Sequence, residues 1–276
     1  MGKPINFSNG DINKVFKTVR GSIKKAIFYL GADIPYDYSK LLITPLVISF
    51  DKIKEKYPEL YCLIELDYLI RNTDDILDEK LYKKNPLPIT AIKKQICNFK
   101  NKNRDFEGVA RLFELELELH IKKESNLKEK LREIIEIRPC DYFLLVDKII
   151  NSFGSSLSVC DLDNSKLFFK EFQRLRDLLD DIMSTEEDLI KNSYNNIVIA
   201  EKNGIDFEFI DNIINKKFKN LINYYNLIKE HPNKILLKQT IEFWKKQYSI
   251  LFKPLLVSYF IDKEEYKKIY FMFKQI

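Results

Sequence analysis

The stretch LIELDYLIRNTDDILDE, residues 63–79, decides how the chain is read. Its apolar positions Leu63, Leu66, Ile70 and Leu77 follow the three-to-four spacing that places side chains on one face of an α-helix. In the same register Asp67, Arg71, Asp74, Asp75 and Asp78 form a second stripe. Like charges at that spacing repel. The stripe is therefore either a solvated acidic face or a set of carboxylates neutralised by cations.

Helical periodicity continues through almost the whole chain. It predicts helices over about 11–30, 39–56, 58–80, 88–102, 105–123, 126–137, 139–159, 164–191, 194–203, 206–230, 233–260 and 262–274. Pro58 and Pro139 suit a first helical turn, and Asp163-Asn164-Ser165 supplies a cap ahead of the eighth helix. The strongest breaks are KNPLP (84–88) and HPNK (231–234), and no stretch has the composition of a linker. The expectation is one all-α domain spanning residues 1–276, built from about ten to twelve helices.

Composition narrows the choice further. Only 7 Gly and 9 Pro in 276 residues leave too few turns for an all-β or Rossmann-like chain. With 45% apolar residues there is ample material for a core. Cys62, Cys97, Cys140 and Cys160 are widely spaced without a CxxC, which points to reduced thiols in a cytoplasmic protein. His120 and His231 are the only histidines, so histidine metal sites and Ser-His-Asp triads are poorly provided for. No apolar signal core opens the chain, and LLITPLVISF (41–50) is too short and too broken by Pro45 to span a bilayer. Stable membrane insertion is therefore not expected. Residues 191–276 hold 15 Lys and Arg against 9 Asp and Glu, scattered among apolar residues. That is the pattern of amphipathic helices, and no nucleic-acid partner is expected.

A second acidic helix reads FQRLRDLLDDIMSTEEDLIKNSYN (172–195). Asp180, Ser184 and Asp188 stand at i, i+4 and i+8 on one face, and Lys191 continues it near the helix end. Two carboxylates flanking a hydroxyl make an oxygen-only comb suited to a hard divalent cation, Mg²⁺ above all. Two such combs facing each other across a bundle would hold several metal ions and a diphosphate between them.

At these residues the chain resembles the class I isoprenoid synthases: terpene cyclases, squalene/phytoene synthases and trans-prenyl diphosphate synthases. DDILD (74–78) is similar to the first aspartate-rich motif of that family, and DDIMSTEED (180–188) to the terpene-cyclase second motif (N/D)DxxSxxx(E/D). Arg71, three residues before Asp74, matches the squalene/phytoene version. The resemblance implies an α-helical bundle around an apolar cavity, with Asp74, Asp75, Asp78, Asp180, Ser184 and Asp188 as ligands of three Mg²⁺ ions, Mn²⁺ being a substitute. It implies a prenyl diphosphate substrate whose diphosphate leaves as metal and basic groups take up its charge. Arg138, in an Arg-x-x-Asp-Tyr segment, resembles the diphosphate sensor of terpene cyclases, the alternative being a surface arginine at a helix start. Lys191 and Tyr194 stand where the family often carries a basic residue and a tyrosine. Tyr68, Tyr142, Phe143, Phe153, Phe168, Phe169 and Phe172 could line the carbocation cavity or serve as core.

Departures from the family pattern are equally specific. No Gly-Gly-Lys-Arg-like stretch stands near the amino terminus, and NSYNN (192–196) replaces the squalene/phytoene sequence after the second motif. Lys267, Lys268 and Tyr270 stand in for a terminal Arg-Tyr pair, Gly is usual where Tyr142 stands, and Gly154 is an alternative helix break. The leading expectation is a terpene synthase that ionises and cyclises or rearranges a prenyl diphosphate. Head-to-head prenyl transfer is the alternative within the fold. An all-α nucleotide pyrophosphohydrolase and a non-enzymatic helical binding module are the alternatives outside it. The assembly is open, a homodimer being one option.

Overall fold

The computed structural model of the chain describes residues 9–35, 54–65, 67–68, 71, 90, 93–94, 96–97, 107–121, 126–191 and 193–274. Ten α-helices are bounded among these residues: α1 (Asn9–Leu30), α2 (Glu107–Ile121), α3 (Leu127–Ile137), α4 (Cys140–Phe153), α5 (Val159–Lys191), α6 (Asn196–Lys202), α7 (Phe207–Leu227), α8 (Lys234–Gln247), α9 (Lys253–Ile261) and α10 (Lys263–Lys274). Residues 58–65, 67–68 and 71 are also helical, with Pro58 opening the run as a first-turn proline should. The chain is all-α: no strand forms among the described residues, which hold a single isolated bridge between Ala32 and Ser155.

The 33-residue α5 is the spine of the molecule. Phe168, Phe169, Phe172, Leu175, Leu178, Leu179 and Ile182 form its buried stripe, which packs against α7, α1, α6 and α3. Tyr29 of α1 seats its ring among Phe168, Phe169 and Phe172, with centroids 6.2, 5.4 and 5.5 Å away. Burial of such rings is the main source of stability in a helical core.

Several boundaries differ from the sequence expectation, among them the expected helix 139–159, which stops at Phe153. Helix α5 begins at Val159, so Asp163, Asn164 and Ser165 lie within it. The cap is supplied earlier, where the Ser158 hydroxyl accepts the Asp161 amide at 3.2 Å and donates to its carboxylate at 2.8 Å. Asp161 also accepts the amides of Lys229 and Glu230, tying the start of α5 to the end of α7. Pro139 is the residue preceding α4, not its first helical residue. The expected helix 233–260 is interrupted by a π-helical turn, Tyr248–Phe252, whose Tyr248 hydroxyl reaches Asp211 on α7. Lys253 meets the same carboxylate at 3.0 Å.

Helix α4 ends at Gly154, whose φ of 78° is open to glycine. There Ser155 and Ser156 bond to the carbonyls of Leu30 and Gly31 and clamp the ends of α1 and α4 together. No disulfide joins the four cysteines. Among the described residues no helix is long and apolar enough to cross a membrane.

A buried charge network fixes α3 and α7 to α5. Lys217 of α7, almost fully buried, donates to Glu136 of α3 at 2.7 Å and to Glu171 of α5 at 3.5 Å. Arg174 and Asn220 complete the coordination of Glu171. Removing one partner of a buried ion pair strands the others. Lys217→Ala is therefore expected to lower unfolding free energy by about 3 kcal/mol in chemical denaturation. The paired change Lys217→Met with Glu171→Leu should recover most of that loss.

Candidate functional site

The charged face of α5 opposite its core stripe forms one wall of a cavity of about 490 Å³. Asp177, Asp180, Asp181, Ser184 and Asp188 stand along that wall at helical spacing. A second wall is α2, whose Val109, Leu112, Phe113 and Glu116 recur at i, i+3, i+4 and i+7. The first turn of α4 adds Cys140, Asp141 and Tyr142, while Arg71, Arg138, Ser193 and Tyr194 close the circle. The described lining thus carries two arginines against six carboxylates, with apolar side chains concentrated on α2.

Seven residues singled out from the sequence meet here: Arg71, Arg138, Tyr142, Asp180, Ser184, Asp188 and Tyr194. Asp74, Asp75 and Asp78 lie outside the described residues. Lys191 is not part of the lining; its side chain is 64% exposed and pairs with Glu187 at 3.6 Å. Gly154 stands at the far end of α4 from the turn that lines the cavity. Lys267 and Lys268 pair with Glu264 and Glu265, and Tyr270 packs on Tyr266, all outside the lining. Of the seven aromatic candidates only Tyr142 lines the cavity. Phe168, Phe169 and Phe172 are core, and Tyr68, Phe143 and Phe153 pack against that core. Phe113 and Tyr194 are the other rings among the described residues of the lining.

Each predicted residue is held by specific partners. Arg71 donates through Nε to Asp67 at 2.8 Å and through its other arm to Thr18. Asp67 is nearly fully buried, so the first member of the acidic stripe is neutralised by the protein's own arginine. Arg138 is not the surface arginine of the alternative reading. It lies in the turn between α3 and α4, and its Nη1 reaches both carboxylate oxygens of Asp181 at 2.9 and 2.8 Å. Burial works against its charge, but Asp181 and Glu116 outweigh burial and hold the guanidinium firmly protonated. The ring of Tyr194 lies under that guanidinium, 4.8 Å away. Its hydroxyl donates to Asn196 at 2.9 Å.

Four carboxylates of the lining carry no signal of their own in the sequence: Glu116, Asp141, Asp177 and Asp181. Asp181 is buried, and besides Arg138 it accepts from the backbone and side-chain nitrogens of Asn196 at 3.3 and 2.5 Å. Its position three residues after Leu178 and one before Ile182 put it on the edge of the apolar stripe, where a carboxylate needs a partner. Asp180, its neighbour, turns outward; its side chain is 62% exposed and meets Arg176 at 3.4 Å. Asp177 lies one turn earlier and accepts from Gln173 at 2.8 Å. Lys25 donates to the same Gln173 at 2.8 Å and sits 4.1 Å over the Tyr142 ring. Burial pushes the Asp177 carboxyl up to about 6, against the opposing pull of Gln173 and Arg138. Burial, with Arg176 nearby, pulls the Lys25 ammonium down to about 8. His231 is buried and bonds to the Tyr29 carbonyl, outside the cavity.

Asp180, Ser184 and Asp188, like the other carboxylates of the lining, are oxygen donors of the kind a hard divalent cation takes. Among the described residues no three His, Cys, Asp or Glu side chains converge on one point. Comparison of the chain with protein-family models, with curated proteins and with solved structures finds no match.

Asp180→Asn should change unfolding free energy by less than about 0.5 kcal/mol, as exposed substitutions do. Asp181→Asn leaves the half-buried Arg138 beside a neutral group and should cost about 2 kcal/mol in the same denaturation assay. Asp177 makes the molecule sensitive to pH. Its folded carboxyl keeps its proton up to about 6, whereas an unfolded aspartate loses it near ~3.9. Between those values the native state binds more protons, so its contribution to stability falls as pH rises and levels off above about 6. Asp177→Asn should abolish that fall and raise stability at pH 7 by on the order of 2 kcal/mol. Tm measured from pH 4 to 8 in both proteins checks it.

Proposed function

We propose that the protein is a class I isoprenoid synthase of the terpene-synthase type. It ionises a linear prenyl diphosphate in the presence of Mg²⁺ or Mn²⁺, cyclises or rearranges the allylic cation and releases diphosphate. The supporting observation is the cavity that brings together Arg71, Arg138, Asp180, Ser184, Asp188 and Tyr194, which come from three separate stretches of the chain.

The donor set fits a hard divalent cation in its chemistry: two carboxylates and a hydroxyl at one-turn intervals on a rigid helix. Asp180, Ser184 and Asp188 would hold it, with Asp74, Asp75 and Asp78 as the expected second set. Bound there, the metal supplies positive charge to the departing diphosphate oxygens.

The chain's own residues do the rest. Arg71 and Arg138 offer guanidinium N–H donors on the cavity wall, suited to phosphate oxygens. Phe113, Tyr142 and Tyr194 present aromatic rings in the same space, and a ring face stabilises a carbocation without trapping it as a nucleophile would. Val109 and Leu112 provide an apolar stretch of wall beside those rings. A nucleotide pyrophosphohydrolase, which leans on glutamate, is less well supported, since Glu116 is the single glutamate in the described lining.

Incubation with geranyl, farnesyl and geranylgeranyl diphosphates plus Mg²⁺, followed by mass spectrometry, tests the reading. Products of unchanged carbon number support it; products of doubled carbon number assign head-to-head coupling instead. Absence of diphosphate release from all three substrates overturns both. Asp74→Ala, Asp180→Ala and Asp188→Ala should each reduce release by about 100-fold or more, as loss of transition-state charge stabilisation does. Mg²⁺ together with inorganic pyrophosphate should raise Tm by about 5–10 °C near saturation.

A further inference from the structure

Asn195 joins the start of α6 to the acidic face of α5. Its side chain is completely buried and uses both ends. Oδ1 accepts the amides of Ile197 at 2.9 Å and Val198 at 3.2 Å, which caps α6. Nδ2 points the opposite way, toward the Asp181 carbonyl at 2.8 Å, the Asp188 carboxylate at 2.9 Å and the Ser184 hydroxyl oxygen at 3.3 Å. Ser184 in turn donates to the same oxygen of Asp188 at 2.5 Å.

A cap alone does not account for this choice of residue. Serine, threonine and aspartate cap helices about as well as asparagine. Among these four only asparagine carries an NH₂ group, whose two hydrogens meet the Asp181 carbonyl and the Asp188 carboxylate, with the Ser184 oxygen a longer third contact. Both hydrogens are engaged on α5, one on backbone and one on a carboxylate that lines the cavity.

We propose that Asn195 is a positioning residue for Asp188 and Ser184. Its amide fixes the rotamer of Asp188 on the cavity wall. Through the Ser184–Asp188 bond it also sets the direction of the hydroxyl. Where those two residues serve as metal ligands, a role that rests on the proposed function, Asn195 governs how tightly the metal is held. Removing such an orienting partner typically weakens metal affinity about 10–100-fold.

The test uses Asn195→Ser, which keeps a capping oxygen and lacks the NH₂; Asn195→Thr replaces it where the serine variant fails to fold. In metal-free protein, Tm is measured for Asn195→Ser, Asp188→Ala and the double variant. The losses should fail to add by about 2 °C or more, because the two residues share one bond. Additive losses overturn the proposal. Mg²⁺ is then titrated at fixed inorganic pyrophosphate with thermal shift as the readout. The midpoint should rise about 10-fold or more in Asn195→Ser, and an unchanged midpoint overturns the proposal. A wild-type protein that does not respond to Mg²⁺ and pyrophosphate counts against the proposed function, and the metal-free cycle alone then decides the role of Asn195.

Discussion

An arginine keeps its proton inside a protein, and Arg138 is half-buried, its side chain 27% exposed. Its charge has to be met within the protein, and Asp181 meets it at 2.8 Å. That one requirement organises the region around it. Asp181 is buried at the edge of the charged face of α5, and Asn196 supplies two further donors to its carboxylate. The turn between α3 and α4 is thereby tied to α5 and to the first residue of α6. The Tyr194 ring, pinned by its hydroxyl to Asn196, covers the guanidinium. Each of these side chains also borders the cavity or holds one that does.

Helix α5 carries both core and site, and the separation between them is a matter of a single residue. Leu178, Leu179 and Ile182 point into the core, while Asp177, Asp180, Ser184 and Asp188 line the cavity. Asp181 stands between the two faces. A helix of 33 residues, clamped by α1, α3, α6 and α7, is a stiff mount for such a wall. Small displacements of catalytic groups are costly, and a side chain on a packed helix moves less than one on a loop.

What the sequence made legible was local. Helical spacing depends on neighbours three and four residues away, so the helices and the register of Asp180, Ser184 and Asp188 could be read from the residues alone. Contacts between distant residues could not. The cap of α5 is an example: Asp163-Asn164-Ser165 has the right residue types, but Asp161 is anchored by the amides of Lys229 and Glu230, 68 and 69 residues along the chain. Lys191 shares a face with Asp180 by count, yet at the last residue of the helix its charge is drawn to Glu187. Phe168, Phe169 and Phe172 could be core or cavity by composition. Tyr29, more than a hundred residues earlier, makes them core.

The six carboxylates and two arginines of the described lining give it a formal charge of −4 when every group is ionised. Such a recess attracts cations and raises the barrier for a bare anion. An anionic guest is thus favoured only in company with positive charge, whether it arrives as a complex or finds the cations already in place. Order of arrival then becomes a property of the pocket itself, and added monovalent salt competes for the recess by screening its field.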